Sequence, residues 1–177
     1  MKSFFSFFFL LTSLTSTMTK AQNVEIPALE FVCELKVTVD KPMRLGVTSH
    51  GERRIIPITG GTFEGPQMKG IVLNGGADYQ FVNKENTRTE IEAIYTIQTG
   101  DGVLIHIRNV GLVIKTVENA EKLAKGEPMD ASKNYFRAAP KFEAPEGSKY
   151  DWLNNAIFVC KGVPAKGGVS IFVWKVL

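Results

Sequence analysis

A period of two runs through most of this chain, and turn-forming residues interrupt it at short intervals. From Ala28 to Val39 the sequence reads ALEFVCELKVTV, which puts Phe31, Cys33, Leu35, Val37 and Val39 on one face. Glu34, Lys36 and Thr38 fall on the other. Such alternation is the mark of a half-buried β-strand. It recurs over Arg53–Ile58, Met68–Leu73, Ala77–Val82, Arg88–Thr99, Val103–Lys115, Tyr135–Glu143, Ala156–Lys161 and Val169–Val176. Asn74-Gly75-Gly76 and Gly100-Asp101-Gly102 are hairpin signals. Pro57 points to an edge or irregular position in its strand. The one helix-like stretch is Val117–Lys125, with Asn119 as candidate cap and Gly126-Glu127-Pro128 as its end.

Strands joined by such short links must pair antiparallel, because parallel neighbours need long crossovers. About eight to ten strands in one domain favour closure into a barrel, which removes exposed edges. The expected fold is therefore all-β: a single antiparallel β-barrel with one short helix. A two-sheet sandwich is the alternative. A barrel of about eight strands holds either packed side chains or one small ligand.

The N-terminus carries a different pattern. Lys2 precedes the apolar run Phe4–Leu11, and a Ser/Thr-rich stretch leads to Thr19-Lys20-Ala21. This is the layout of a removable signal peptide over residues 1–21, leaving a barrel domain over 22–177. The expected destination is the periplasm or the extracellular space. The apolar run is far short of the roughly 20 residues that a spanning helix needs. Composition matters here through charge. The chain has 21 Lys+Arg against 18 Asp+Glu, a net charge of +3. Losing Lys2 and Lys20 with the leader leaves 19 against 18, a net charge of +1. A near-neutral domain without a basic run offers no electrostatic basis for nucleic-acid binding. Export permits a disulfide between Cys33 and Cys160; two buried thiols in apolar strands are the alternative.

Chemistry concentrates in the glycine-rich segment Arg53–Phe81. No helix follows its glycines, so neither a dinucleotide fingerprint nor a phosphate loop is formed and no cofactor is expected. Glu64 and Asp78 each follow a glycine pair beside an aromatic residue. In a partly apolar cavity such a carboxyl has a raised pKa and can exchange protons. Solvated strand-end carboxylates, or partners for Arg53 and Arg54, are the alternative. Tyr95 shares the apolar face of its strand with Ile91, Ala93 and Ile97, and Asn109 shares one with Ile105 and Ile107. Both are interior candidates. Tyr135 and Arg137 lie on one face of their strand and Phe136 on the other. An inward Arg137 would need a carboxylate partner from the protein or a ligand. Trp152 is a candidate cover for a barrel mouth or a packing plug. His50 and His106 have no second histidine at metal spacing, so no metal site is expected.

Taken together, Ile55-Pro57-Thr59-Gly60-Gly61-Thr62-Phe63-Glu64-Gly65-Pro66 and Gly75-Gly76-Ala77-Asp78-Tyr79 resemble the signature of the DUF thirty-two thirty-seven family. Further matches are Tyr95, Asp101-Gly102, Arg108-Asn109, Tyr135-Phe136-Arg137 and Trp152-Leu153-Asn154. The resemblance spans roughly residues 28–177. It implies a small antiparallel barrel similar to lipocalins and allene oxide cyclases, and no settled activity. Two readings follow for the cavity. One is binding of a small apolar or aromatic metabolite, with Arg54, Tyr95, Asn109, Tyr135 and Trp152 as candidate contacts. The other is a cofactor-free isomerase, cyclase or lyase. Glu64 or Asp78 would then be its acid/base, with Arg137, Tyr95 and Asn109 stabilising charge on oxygen. Oligomeric state is not legible in the sequence.

Overall fold

The computed structural model describes residues 24–177; the expected signal peptide and its cleavage junction lie outside the described residues. Ten strands follow one another as β1 (Leu29–Val39), β2 (Met43–Thr48), β3 (Gly51–Glu64), β4 (Lys69–Val72), β5 (Ala77–Val82), β6 (Arg88–Thr99), β7 (Leu104–Ile114), β8 (Tyr135–Glu143), β9 (Phe158–Ala165) and β10 (Gly168–Val176). Every pairing among them is antiparallel. The sheet runs β1-β10-β9-β8-β7-β6-β4-β3, and β3 pairs back onto β1, so it closes. The expected barrel is the fold, with eight positions around its circumference.

Two of these positions are divided. β4 pairs the far end of β3 (Gly61–Glu64), and β5 pairs its near end (Glu52–Pro57). Both also lie along β6, so the hairpin signal Asn74-Gly75-Gly76 breaks one long staple into two strands. On the other side of β3 the neighbour changes from β2 (Gly51–Ile55) to β1 (Ile58–Glu64). Pro57, which has no N–H to donate, falls between these two pairings. The alternation predicts a strand that ends at Ile58, ahead of Gly60-Gly61. β3 instead runs on to Glu64, and those glycines are where it meets β1. β2 was not expected. All of its residues are exposed and it pairs only with β3, so it lacks the alternation that marks a core strand.

The helix forms over Val117–Ala124. Its cap is Thr116, whose Oγ1 accepts the backbone N–H of Asn119 at 3.1 Å. Asn119 is therefore in the first turn rather than at the cap. It is buried, and its side-chain amide donates to Asp130 O and Asn134 Oδ1, each at 2.8 Å, fastening α1 to the chain that returns to β8.

The barrel is filled unevenly. At the end bearing the β6–β7 hairpin, Phe142 and Phe158 meet edge to face at 4.9 Å, with Leu35, Ile97 and Ile105 fully buried around them. The turn Asp151–Asn155 plugs this end: Leu153 is buried and Trp152 stacks against Phe158. Tyr150 Oη and Thr99 Oγ1 both donate to Asp101 Oδ1, at 2.8 and 2.6 Å, which ties the plug to the hairpin. Toward the opposite end the interior residues are smaller. There Gly162 leaves room for the Phe136 ring; a Cβ on Gly162 would lie 2.3 Å from it.

Cys33 and Cys160 are free and buried. Both are in register with Val173 of the intervening strand, so they stand two strands apart. That is roughly 9–10 Å between Cα atoms at the usual strand spacing, beyond disulfide reach. No helix among the described residues is long and apolar enough to cross a membrane.

Closure at β1–β3 requires a side chain to be missing. At Gly61 φ is +139°, and an added Cβ would sit 2.1 Å from the Lys36 carbonyl oxygen. Gly61→Ala is therefore expected to destabilise the fold by about 3 kcal/mol or more. Urea unfolding of the variant beside the parent checks this. An unchanged midpoint would show that the seam can open without cost.

Candidate functional site

The less filled end of the barrel holds a cavity of about 280 Å³. Its walls come from inward residues of eight strands. Val37, Ile56, Ile58, Ile91, Val113 and Ile171 make most of the surface apolar. Four polar side chains reach into it: Asp78 and Gln80 from β5, Tyr95 from β6 and Asn109 from β7. Phe136 and Pro164 line it where β8 and β9 diverge, these two strands being paired only at Arg137–Lys161 and Ala138–Cys160.

Register explains the convergence. Asp78 stands opposite Ile56 on one side and Ala93 on the other. Ala93 stands opposite Asn109, and Tyr95 opposite Ile107. With Ala at the centre of this row, Asp78 and Asn109 face the same space from either side of a short side chain.

Asp78 Oδ2 accepts a hydrogen bond from Gln80 Nε2 at 2.6 Å, while its Oδ1 is buried with no hydrogen-bond partner in the protein. Burial raises the Asp78 pKa above its ordinary value; the Gln80 hydrogen bond, and then the nearby Glu92 backbone N–H, oppose this only in part. A buried, unpartnered acceptor is costly, and a carboxyl in this position favours its protonated form. Tyr95 is 5 % exposed, and burial raises its pKa, so the hydroxyl keeps its proton. The Asn109 amide is met only by sulfur: Nδ2 donates to Cys160 Sγ at 3.6 Å, and the thiol donates to Oδ1 at 3.7 Å. Sulfur is a weak partner, so the amide keeps hydrogen-bonding capacity. Burial, then the neighbouring Cys160, pushes the Cys33 thiol up to about 12. Burial likewise raises Cys160. Neither is a thiolate nucleophile at neutral pH. The floor is thus a neutral polar patch able to donate to a carbonyl or hydroxyl oxygen and to exchange a proton through Asp78.

The other residues singled out in the sequence lie elsewhere. Glu64 is exposed on the outer wall, in register with Glu34 and Lys69, so it does not share the cavity with Asp78. Arg137 and Tyr135 are also outside. The Arg137 guanidinium lies 5.3 Å from the Tyr135 ring centroid and donates to the Phe136 carbonyl at 2.9 Å. Phe136 takes the inward position instead, because an aromatic ring enters the core without the desolvation cost of a guanidinium. Arg137 therefore cannot stabilise charge in the cavity. Trp152 belongs to the plugged end, far along the barrel axis from Asp78. Arg54 stands on the inner face at the rim, opposite Gln80. Gln80 and Lys115 were missed. Lys115 follows Asn109 and Val113 at even spacing, a signal the sequence carried.

With this geometry the chain can be placed among known proteins. The profile of DUF3237, a family described as protein of unknown function, matches residues 27–176. The chain belongs to this family. A UPF0311 protein of Rhodopseudomonas palustris is 40 % identical over 150 residues, covering 81 % of this chain and 97 % of the relative. A β-barrel-like protein of Acinetobacter baumannii has a crystal structure that matches at TM-score 0.76 and 35 % identity, covering 88 % of this chain and 99 % of that one. A structure described as an enzyme from Penicillium herquei shares the fold at TM-score 0.66 and 20 % identity, covering 89 % of this chain and 100 % of that one. Asp78 and Asn109 sit within the matched span of this DUF3237 barrel, as does the whole cavity wall.

A carboxyl whose folded-state pKa lies above its unfolded value stabilises the fold while protonated. That contribution is complete below the unfolded value and is lost as pH rises through the folded one. Asp78 is such a group, with an ordinary value of 3.8. Asp78→Asn is expected to melt at a higher temperature than the parent at pH 7, with the gap closing at about pH 4. Thermal unfolding at both pH values measures it; a parent that is the more stable at pH 7 would mean the ionised carboxylate is compensated.

Proposed function

We propose that this protein binds a small, largely apolar metabolite inside the barrel, with an oxygen of the ligand held at the polar floor. The observation that carries the reading is the 280 Å³ cavity, walled by aliphatic side chains and floored by Asp78, Tyr95 and Asn109. Concave, mostly apolar sites with a few convergent polar groups are the usual form of a small-molecule pocket. The buried Asp78 Oδ1 has no partner in the protein, and a ligand hydroxyl or carbonyl reaching the protonated carboxyl supplies one.

The same carboxyl supports a second reading, cofactor-free acid–base chemistry on the bound molecule. Asp78 would give or take the proton, and the Tyr95 hydroxyl and Asn109 amide would donate to an oxygen that gains negative charge. Binding is the step both readings share. Export to the periplasm or outside the cell, expected from residues 1–21, would make the ligand an extracytoplasmic one.

Filling the cavity tests the binding. Ala93 lines it between Asp78 and Asn109. Ala93→Leu is expected to weaken binding of neutral aromatic probes such as 1-naphthol at least tenfold, while the fold stays intact by circular dichroism. Calorimetric titration of parent and variant gives the comparison. Equal affinity for both proteins would place the probe somewhere other than this cavity and remove the basis for the reading.

A further inference from the structure

The rim of the cavity carries charge that the protein itself does not balance. On β3 the inner face continues outward from Ile58 and Ile56 to Arg54 and Glu52 at even spacing, and the register places Arg54 opposite Gln80, another lining residue. The Arg54 side chain is only 15 % exposed. Its Nη2 donates to Glu52 Oε2, but its Nε is buried with no partner. Arg53, the neighbour in sequence, points the other way and stacks on the outer face with its guanidinium carbon 3.4 Å from the Phe81 ring centroid.

One residue past the end of β7, Lys115 continues the even spacing of Asn109 and Val113, and its ammonium reaches Thr89 on β6. The Lys115 ammonium has only neutral partners: Asn86 O at 3.0 Å, Asn86 Oδ1 at 3.3 Å and Thr89 Oγ1 at 3.4 Å. Burial, and then repulsion from the Arg54 guanidinium, lower its pKa. Among the described residues, the carboxylate on this part of the inner face is Glu52. It is shared with Arg44, whose Nη1 donates to Oε1 at 2.5 Å. Arg44, Arg54 and Lys115 thus share the single carboxylate of Glu52, which leaves the rim with an excess of positive charge. Buried or half-buried cations are ordinarily paired, and a guanidinium presents its Nε and Nη donors as a fork that fits a carboxylate.

We propose that the ligand is a small amphipathic monoacid, with its apolar body in the cavity and its carboxylate at the rim between Arg54 and Lys115. The proposal rests on the binding reading above and adds the charge and orientation of the ligand. The acid end faces the opening, where solvent remains near it. The other end of the molecule reaches the neutral floor of Asp78, Tyr95 and Asn109.

The test pairs two probes of nearly equal shape, 1-naphthoate and 1-naphthamide, titrated into the described barrel domain as part of the full protein. Naphthoate is expected to bind at least tenfold more tightly, and to lose that advantage as salt rises, as a half-exposed ion pair must. Arg54→Gln and, separately, Lys115→Gln are each expected to weaken naphthoate binding about tenfold and leave naphthamide within twofold. Two substitutions on different strands guard against one of them harming the fold. Equal affinity of the parent for both probes overturns the acid end while leaving the binding reading in place. So does loss of both probes in equal measure in folded variants. If neither probe binds to the parent, the binding reading falls and this proposal with it.

Discussion

The pairing of β1 with β3 is what turns a sheet into a container. Six residue pairs, from Glu34–Glu64 to Val39–Ile58, join the first strand to the third and close the circuit. The pairing works because Gly61, at positive φ, brings the two backbones closer than any side chain would allow. Were the seam open, β1 and β3 would each present an unpaired edge, and the interior would be a two-sided groove open to water. Every property of the site follows from closure. Burial of Asp78, the protonated state of Tyr95 and the neutrality of both thiols all require that water be kept from the barrel axis.

Closure alone does not make a cavity; the distribution of side-chain volume does. Phenylalanines and branched aliphatics fill the end that the Asp151–Asn155 turn plugs. At the other end Ala93 and Gly168 stand among valines and isoleucines, and β8 and β9 part beyond two residue pairs. Interiors are otherwise packed close to crystal density, so space of this size beside four polar groups is a feature of the sequence rather than slack. The polar groups there are also the ones whose hydrogen bonds the protein leaves incomplete. Asp78 Oδ1 has no partner and the Asn109 amide has only a thiol.

Much of this was legible in the residues, and the failures have specific physical causes. Alternation in β6 and β7, and in β1 from Cys33 onward, assigned their inward faces, Tyr95 and Asn109 included; at the start of β1 a register shift between Phe31 and Cys33 turns Val32 inward and leaves Phe31, expected inside, exposed. Period two fails where both faces are mixed. Tyr135-Phe136-Arg137 alternates equally well in either sense, and only the room left by Gly162 makes Phe136 the inward residue. On β5 the cue is inverted: Tyr79 and Phe81 are apolar yet lie outside, with Phe81 under Arg53, while Asp78 and Gln80 face in. β2 was invisible because a strand with no buried face leaves no period to read. Gly60-Gly61 looked like a break because glycine marks both turns and close strand contacts, and only the partner strand separates the two. Membership of the DUF3237 family was legible from the motifs, since they keep their order and spacing along the chain.

The polar groups of the interior are graded along the barrel axis, and the grading has one physical origin. Near the floor, where desolvation is most complete, burial pushes every titratable group toward its neutral form: the Tyr95 hydroxyl, both thiols and the Asp78 carboxyl. At the rim water is close enough for charge to survive. There Glu52 is held down to about 2, chiefly by its hydrogen bond from Arg54. A molecule entering such a gradient does not choose its orientation freely. A charged group carried to the floor would lose its hydration with only neutral donors to replace it, a cost that neutral hydrogen bonds do not return. The same group left at the rim keeps part of its water and meets the unpaired Nε of Arg54. In the proposed reading, the barrel would therefore sort the two ends of an amphipathic ligand by depth, before any side chain has to recognise its shape.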